Sequence, residues 1–327
     1  MRQNVLCLII SSIALALVCL AQARSVTKIS RIGFLAALPP AAISSRLEAF
    51  RRGLRELGHV EGKNIIIEYR YAGGDFHRLP RLAEELVRLE VDLIVTGGPL
   101  DIPHAQRATS TIPIIMAFDN DPVGNGFVTS LSRPGGNITG LSTLSPGLSG
   151  KQLELLREIT PELTRVAVIG TSALPGNQQS LKEVKSAAGS FGITLLYLDV
   201  LGSKNIETAF RRASEEGVSA GIVLASPVFF NHRTQVLKLA AKYRIPTIYF
   251  ASEFVEEGGL MAYTASVADL YRRAATYVDK ILKGAKAAEL PVEQPIKFEL
   301  VINLKAANQI GLTIPPNVLA RADKVIR

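Results

Sequence analysis

The chain has no tryptophan, two cysteines and four histidines in 327 residues, and each shortage removes a class of chemistry. Both cysteines, Cys7 and Cys19, fall in the first twenty residues, so the remainder can form neither a disulfide nor a thiolate metal site. His59, His77, His104 and His232 are scattered, and no two stand four residues apart, the spacing that puts a pair of imidazoles on one helical face to hold zinc. Gly33 is followed by Phe34, Leu35 and Ala36, not by the glycine-rich turn that dinucleotides need. Gly62-Lys63 and Gly150-Lys151 lack both the upstream glycine and the following Ser or Thr of a phosphate loop, and no Gly-x-Ser-x-Gly elbow occurs. Asp119 and Asp121, just before Pro122, read as a turn whose side chains bond their own backbone. No catalytic residue, metal or cofactor is expected, and the chain is predicted not to be an enzyme.

Uncharged apolar runs of any length are also absent, except at the start. Arg2 is followed by an apolar stretch from Val5 to Leu20 and then by Ala21, Gln22 and Ala23. That is the layout of a secretory signal peptide with an A-x-A cleavage site, predicted to be cut after Ala23 to release the protein into the periplasm. The stretch is short for the ~20 residues that span a bilayer. The net charge of +8 is spread along the sequence, which suits a solvated surface and gives no footprint for nucleic acid.

The chain beyond Ala23 is too long for one core, so two domains are expected. From Arg31 onward, short β-branched runs alternate with longer amphipathic ones, the pattern of an α/β protein with mostly parallel sheets. Ile32–Leu38 reads as a strand and Ser45–Leu57 as a helix with Leu47, Phe50, Leu54 and Leu57 on one face. Strands at Ile65–Tyr71, Asp92–Thr96, Ile114–Phe118 and Asn137–Ser142 complete a first series. The Ser-, Gly- and Pro-rich run Thr143–Gly150 reads as a crossing to a second series, which starts with a helix at Lys151–Ile159. The tail adds a strand near Leu260–Thr264, a helix Val267–Leu282 and a strand near Phe298–Leu304. The predicted organisation is two doubly wound, Rossmann-like lobes joined by three crossings that make a hinge: residues 24–143 with 252–290, and residues 144–251 with 291–327.

Four segments carry a wider likeness: LEAFRRGLRELGHVEGKN from Leu47, DPVGNGFVTSLSRPGGNITGL from Asp121, YRRAATYVDKILKG from Tyr271, and LPVEQPIKFELVINLKAANQIGLTIPP from Leu290. Together they resemble the ABC transporter substrate-binding family associated with tryptophan and tyrosine uptake, along essentially the whole chain after the leader. The resemblance implies a class I periplasmic binding protein fold, a small molecule held between the lobes, and an inner-membrane ABC permease as partner. Thr264 after Tyr263, and Phe118-Asp119-Asn120 before the Asp-Pro-Val segment, depart from the family's usual residues.

Ligands of open parallel sheets bind beyond the carboxyl ends of the strands. Those ends put Ala37, Thr96, Gly97, Gly98, Phe118 and Asp119 on the first lobe, and Ser172, Ser226, Phe229 and Glu253 on the second. Gly97 and Gly98 precede a helix and offer backbone N–H groups to a carboxylate, competing with a plain tight turn. Ser172 and Ser226 either join them or cap helices. Asp119 and Glu253 are candidates for an ammonium group, and Phe118 and Phe229 for an aromatic side chain, with Tyr249 read as core. The expected function is the solute-binding component of an ABC importer, taking an aromatic amino acid or related carboxylate. The alternative is a periplasmic sensing module that reports the same ligand to a receptor.

Overall fold

The computed structural model describes residues 29–143 and 145–327, and the expected signal peptide lies outside them. Two separate sheets organise the chain. The first has five parallel strands, β1 (Ser30–Ala36), β2 (Ile65–Tyr71), β3 (Leu93–Thr96), β4 (Ile114–Asp119) and β5 (Ile138–Ser142), in the order β2-β1-β3-β4-β5. The second has seven: β6 (Arg165–Gly170), β7 (Thr194–Asp199), β8 (Ala220–Val223), β9 (Thr247–Tyr249), β10 (Met261–Ala265), β11 (Phe298–Asn303) and β12 (Lys324–Ile326). Their order is β12-β11-β10-β9-β8-β6-β7, parallel throughout except for the β10–β11 pair.

Helices cover both faces of each sheet, which is why central strands such as Ile114–Ala117 and Val166–Ile169 are wholly buried and unbroken in their apolar character. On the first sheet, α1 (Ser44–Glu56) packs against one face and α2 (Leu79–Arg88) and α3 (Ile102–Ala108) against the other. On the second, α4 (Ser145–Ile159) and α5 (Pro175–Phe191) cover one face, while α6 (Ile206–Glu215), the short α7 (Pro227–Asn231), α8 (Arg233–Lys242) and α9 (Ser252–Glu256) lie toward the other. Helix α10 (Val267–Leu282) leaves the second sheet and packs beside α1 on the first, burying Leu270, Tyr271, Ala274 and Val278. Among the described residues no helix is long and apolar enough to cross a membrane.

The chain changes lobe later in the tail than the sequence suggests. Residues 252–265 stay with the second lobe, because β10 extends its sheet beside β9 and α9 puts Phe254 into its core. After α10, Leu290 and Glu293 are still tied to the first lobe: the Thr139 hydroxyl donates to the Leu290 carbonyl at 2.6 Å, and the Ser142 N–H donates to that of Glu293 at 3.0 Å. The run Thr143–Gly150, expected as the crossing with a helix starting only at Lys151, is mostly helix, since α4 already starts at Ser145. A proline is accepted in a first turn because its missing N–H has no partner there. The three crossings lie side by side, and the Ser266 N–H donates to the Lys297 carbonyl at 3.0 Å to tie two of them together.

One close approach orients α1. A Cβ added at Gly53 would lie 2.2 Å from the Arg272 carbonyl oxygen of α10, so glycine lets the two helices meet backbone to backbone. Gly53→Ala is expected to lower unfolding stability by about 1–3 kcal/mol, read by urea denaturation, because the obstacle is main chain that cannot turn away. Unchanged stability would show that the helix pair is looser than described.

Candidate functional site

The carboxyl ends of β1, β3 and β4 face those of β8 and β9 across a cleft. Between them lies a cavity, with about 800 Å³ of empty space when the open solvent at its mouth is counted. Its walls are mainly apolar and aromatic, and both lobes supply rings. Phe118 and Tyr271 come from the first lobe, with centroids 6.4 Å apart; Phe230 and Phe250 come from the second, also 6.4 Å apart.

Polar groups are few and placed. Arg46, on the first turn of α1, pairs with Glu253, on α9 of the opposite lobe, so an ion pair spans the cleft. The guanidinium also lies 5.8 Å from the centre of the Phe118 ring, in cation–π range. Burial pulls its pKa below the ordinary arginine value, while the Tyr271 hydroxyl, to which it hydrogen-bonds, acts in the other direction. Tyr271 donates its own hydroxyl proton to the Gly97 carbonyl at 2.5 Å, and burial raises its pKa. A Cβ at Gly97 would stand 3.0 Å from that hydroxyl and 3.2 Å from the Ala36 Cβ, so the turn after β3 needs glycine for space.

Asp101 closes that turn. It is 2 % exposed and lines the cavity, and its Oδ1 has no hydrogen-bond partner. Burial pushes its pKa up to about 8, against the opposing effect of backbone N–H groups of Ala37, Gly98 and Gly97.

Of the residues singled out from the sequence, Ala37, Gly97, Gly98, Phe118, Ser226 and Glu253 lie on the cavity wall. Four do not. Thr96 is buried within β3, where its hydroxyl donates to the Ile115 carbonyl at 3.4 Å. Asp119 is fully buried and organises a turn, its Oδ1 accepting from the Asp121 N–H and from the Asn125 amide, each at 2.9 Å. Desolvation pushes its pKa up to about 6. Ser172 donates to Asp199 at 2.7 Å on the far edge of the second sheet. Phe229 is in the core, and its neighbour Phe230, turned about 100° around a helix, faces the cavity instead. Tyr249 is core, stacked 4.9 Å from Phe254. Ser226 caps α7, accepting from the Val228 N–H at 3.2 Å, and still borders the cavity. Arg46, Asp101, Phe230, Phe250 and Tyr271 were missed, although an arginine beside the apolar face of α1 and an aspartate at the start of a helix were visible signals. Among the described residues no cluster of His, Cys, Asp or Glu could hold a metal.

The Asp101 carboxyl ties stability to pH. Its folded pKa, about 8, stands above the unfolded value of roughly 3.9. The folded state therefore holds a proton that the unfolded state has lost, and stability falls as pH rises between these values. Asp101→Asn removes the titration, so its melting temperature is expected to gain on the parent between pH 5 and pH 9. An equal difference at both pH values would contradict the assignment.

Comparison with known proteins agrees with this architecture. A protein from Clostridioides difficile (strain R20291) described as a tyrosine-binding protein is 25 % identical over 277 residues, 84 % of this chain and 79 % of that one. An ABC domain from Streptococcus pneumonia, solved in complex with L-Trp, superposes with a TM-score of 0.81 at 28 % identity, covering 91 % of this chain and 99 % of that one. A conserved domain protein from Vibrio cholerae O1 biovar eltor gives a TM-score of 0.80 at 28 % identity, over 91 % and 100 %. With residues 32–326 matching the family as a whole, the chain belongs to the ABC transporter substrate binding proteins.

Proposed function

We propose that this protein captures an aromatic amino acid, or a closely related carboxylate, in the cleft between its lobes and hands it to an ABC permease in the inner membrane. It works in the periplasm, after its leader has directed export and been removed behind Ala23. One observation carries this reading: a single cavity walled by aromatic rings of both lobes, with a cation and an anion, Arg46 and Glu253, brought together across it. A flat side chain buried against such rings gains about 0.5–1.5 kcal/mol beyond simple area burial. The relatives described as tyrosine-binding and as complexed with L-Trp point to the same ligand class.

The cavity serves binding and release. Aromatic rings of both lobes line it, and its charged lining residues are Arg46, Asp101 and Glu253. Such a ligand touches both lobes only when they are together, so it favours the closed form by the difference between its affinities for the two states. Lobe closure is then the signal a permease reads.

Ligand-dependent melting tests this reading. Residues 24–327, purified free of ligand, are expected to gain about 2.7 kcal/mol of stability at 100 times the dissociation constant of L-tryptophan or L-tyrosine. A melting shift with one of them and none with alanine or glucose is the expected pattern. No shift with any aromatic amino acid, alongside one with another compound class, would overturn the ligand assignment.

A further inference from the structure

We propose that the first lobe reads the whole head group of the ligand, Arg46 taking its carboxylate and Asp101 its amino group, while Glu253 of the second lobe holds the carboxylate position at Arg46 until the ligand displaces it. The proposal rests on the cleft being the ligand site, and it assigns each end of an amino acid to a residue.

Arg46 is the one cation among the described residues lining the cavity. It is buried, so it needs an anion at all times, and in the structure a side-chain carboxylate from across the cleft supplies one. A ligand carboxylate is the same chemical group and would make the same contacts. The turn at Gly97 and Gly98 is a poor competitor for that group. The Gly97 N–H already donates to the Leu35 carbonyl at 2.9 Å, and Asp101 Oδ2 lies 3.4 Å from the place a Gly97 Cβ would take. The Gly98 N–H is turned toward the Asp101 carboxyl as well, so it too is occupied.

Asp101 presents the opposite requirement. Its Oδ1 is buried without a partner in the wall of the cavity, a costly state that an N–H donor from a ligand relieves. Glu253 has Arg46 as its partner; Asp101 has no cationic partner among the described ion pairs. The two head-group positions are also close enough for one amino acid. The Tyr271 hydroxyl takes a hydrogen bond from Arg46 and sits 3.0 Å from the Gly97 Cβ position, beside the Asp101 carboxyl. A head group bound there leaves the side chain to run toward Phe230 and Phe250 on the second lobe.

Calorimetry on the parent chain, Asp101→Asn and Glu253→Gln distinguishes these roles. The ligands are L-tryptophan and L-tyrosine, with indole-3-propionate and 3-(4-hydroxyphenyl)propionate as their counterparts without the amino group. Asp101→Asn is expected to lose at least about tenfold in affinity for the amino acids and to change little toward the counterparts, because the ligand's ammonium takes the place of the carboxyl's proton and pairs with the resulting carboxylate, which an amide cannot supply. Glu253→Gln is expected to bind the amino acids as tightly as the parent or more tightly, since a competitor for Arg46 has been removed. Three results would overturn the proposal: unchanged amino-acid affinity in Asp101→Asn, equal weakening toward both ligand types, or a tenfold loss in Glu253→Gln, which would make Glu253 the partner of the amino group. If the parent chain binds neither amino acid, the ligand assignment fails as well; if it binds and Asp101→Asn binds equally, only the head-group assignment fails.

Discussion

A buried cation with its counter-charge on the other lobe is the constraint around which the cleft is built. Arg46 has little contact with water, so leaving it unpaired would be strongly unfavourable. Its anion comes from Glu253, across the gap, while Phe118 and Tyr271 hold the guanidinium from its own side. The electrostatics of one side chain are thereby coupled to the separation of two domains.

The rest of the fold supplies that side chain with a fixed frame. Helix α1 is pressed against α10 at Gly53, and α10 carries Tyr271 from the crossing after β10 to the Gly97 carbonyl. Because α10 comes directly after a strand of the second sheet while packing on the first, part of the cleft wall belongs to the connection between lobes. Two of the crossings are bonded to each other, the Ser266 N–H donating to the Lys297 carbonyl. Parallel sheets with helices on both faces leave their strand ends free, and those ends are where the cavity lies.

Much of this frame was legible in the residues. The strand Ile65–Tyr71 and the helix Val267–Leu282 fall where apolar periodicity put them, because long amphipathic patterns depend on local spacing alone. The lobe boundary at 252 was not legible, since the pairing of β10 with β9 is a long-range choice that no local pattern records. The cavity shows the same division. Gly97, Gly98 and Phe118 line it, as strand ends in such a sheet suggest. Phe229 and Phe230 exchanged roles because the five-residue helix α7 is too short to show a period, and a shift of one residue rotates the side chain by about 100°. Arg46 and Asp101 escaped notice for another reason: their significance lies in being buried, which is a property of the assembled lobes.

The central claim is that the ligand enters between the lobes, and locking the lobes together tests it most directly. At the edge of the cleft a Cβ on Gly176 of the second lobe would lie 3.3 Å from the Asp121 Cβ of the first, close to the spacing of a disulfide. Both native cysteines precede Ala23, so Asp121→Cys with Gly176→Cys in residues 24–327 creates a single pair. The measurement is binding of L-tryptophan and L-tyrosine to the ligand-free variant before and after oxidation. The reduced form is expected to bind as the parent does, and the oxidised form to admit ligand at least about tenfold more slowly, because entry needs the lobes to part. Equal rates and affinities in the two forms would contradict a site enclosed by both lobes.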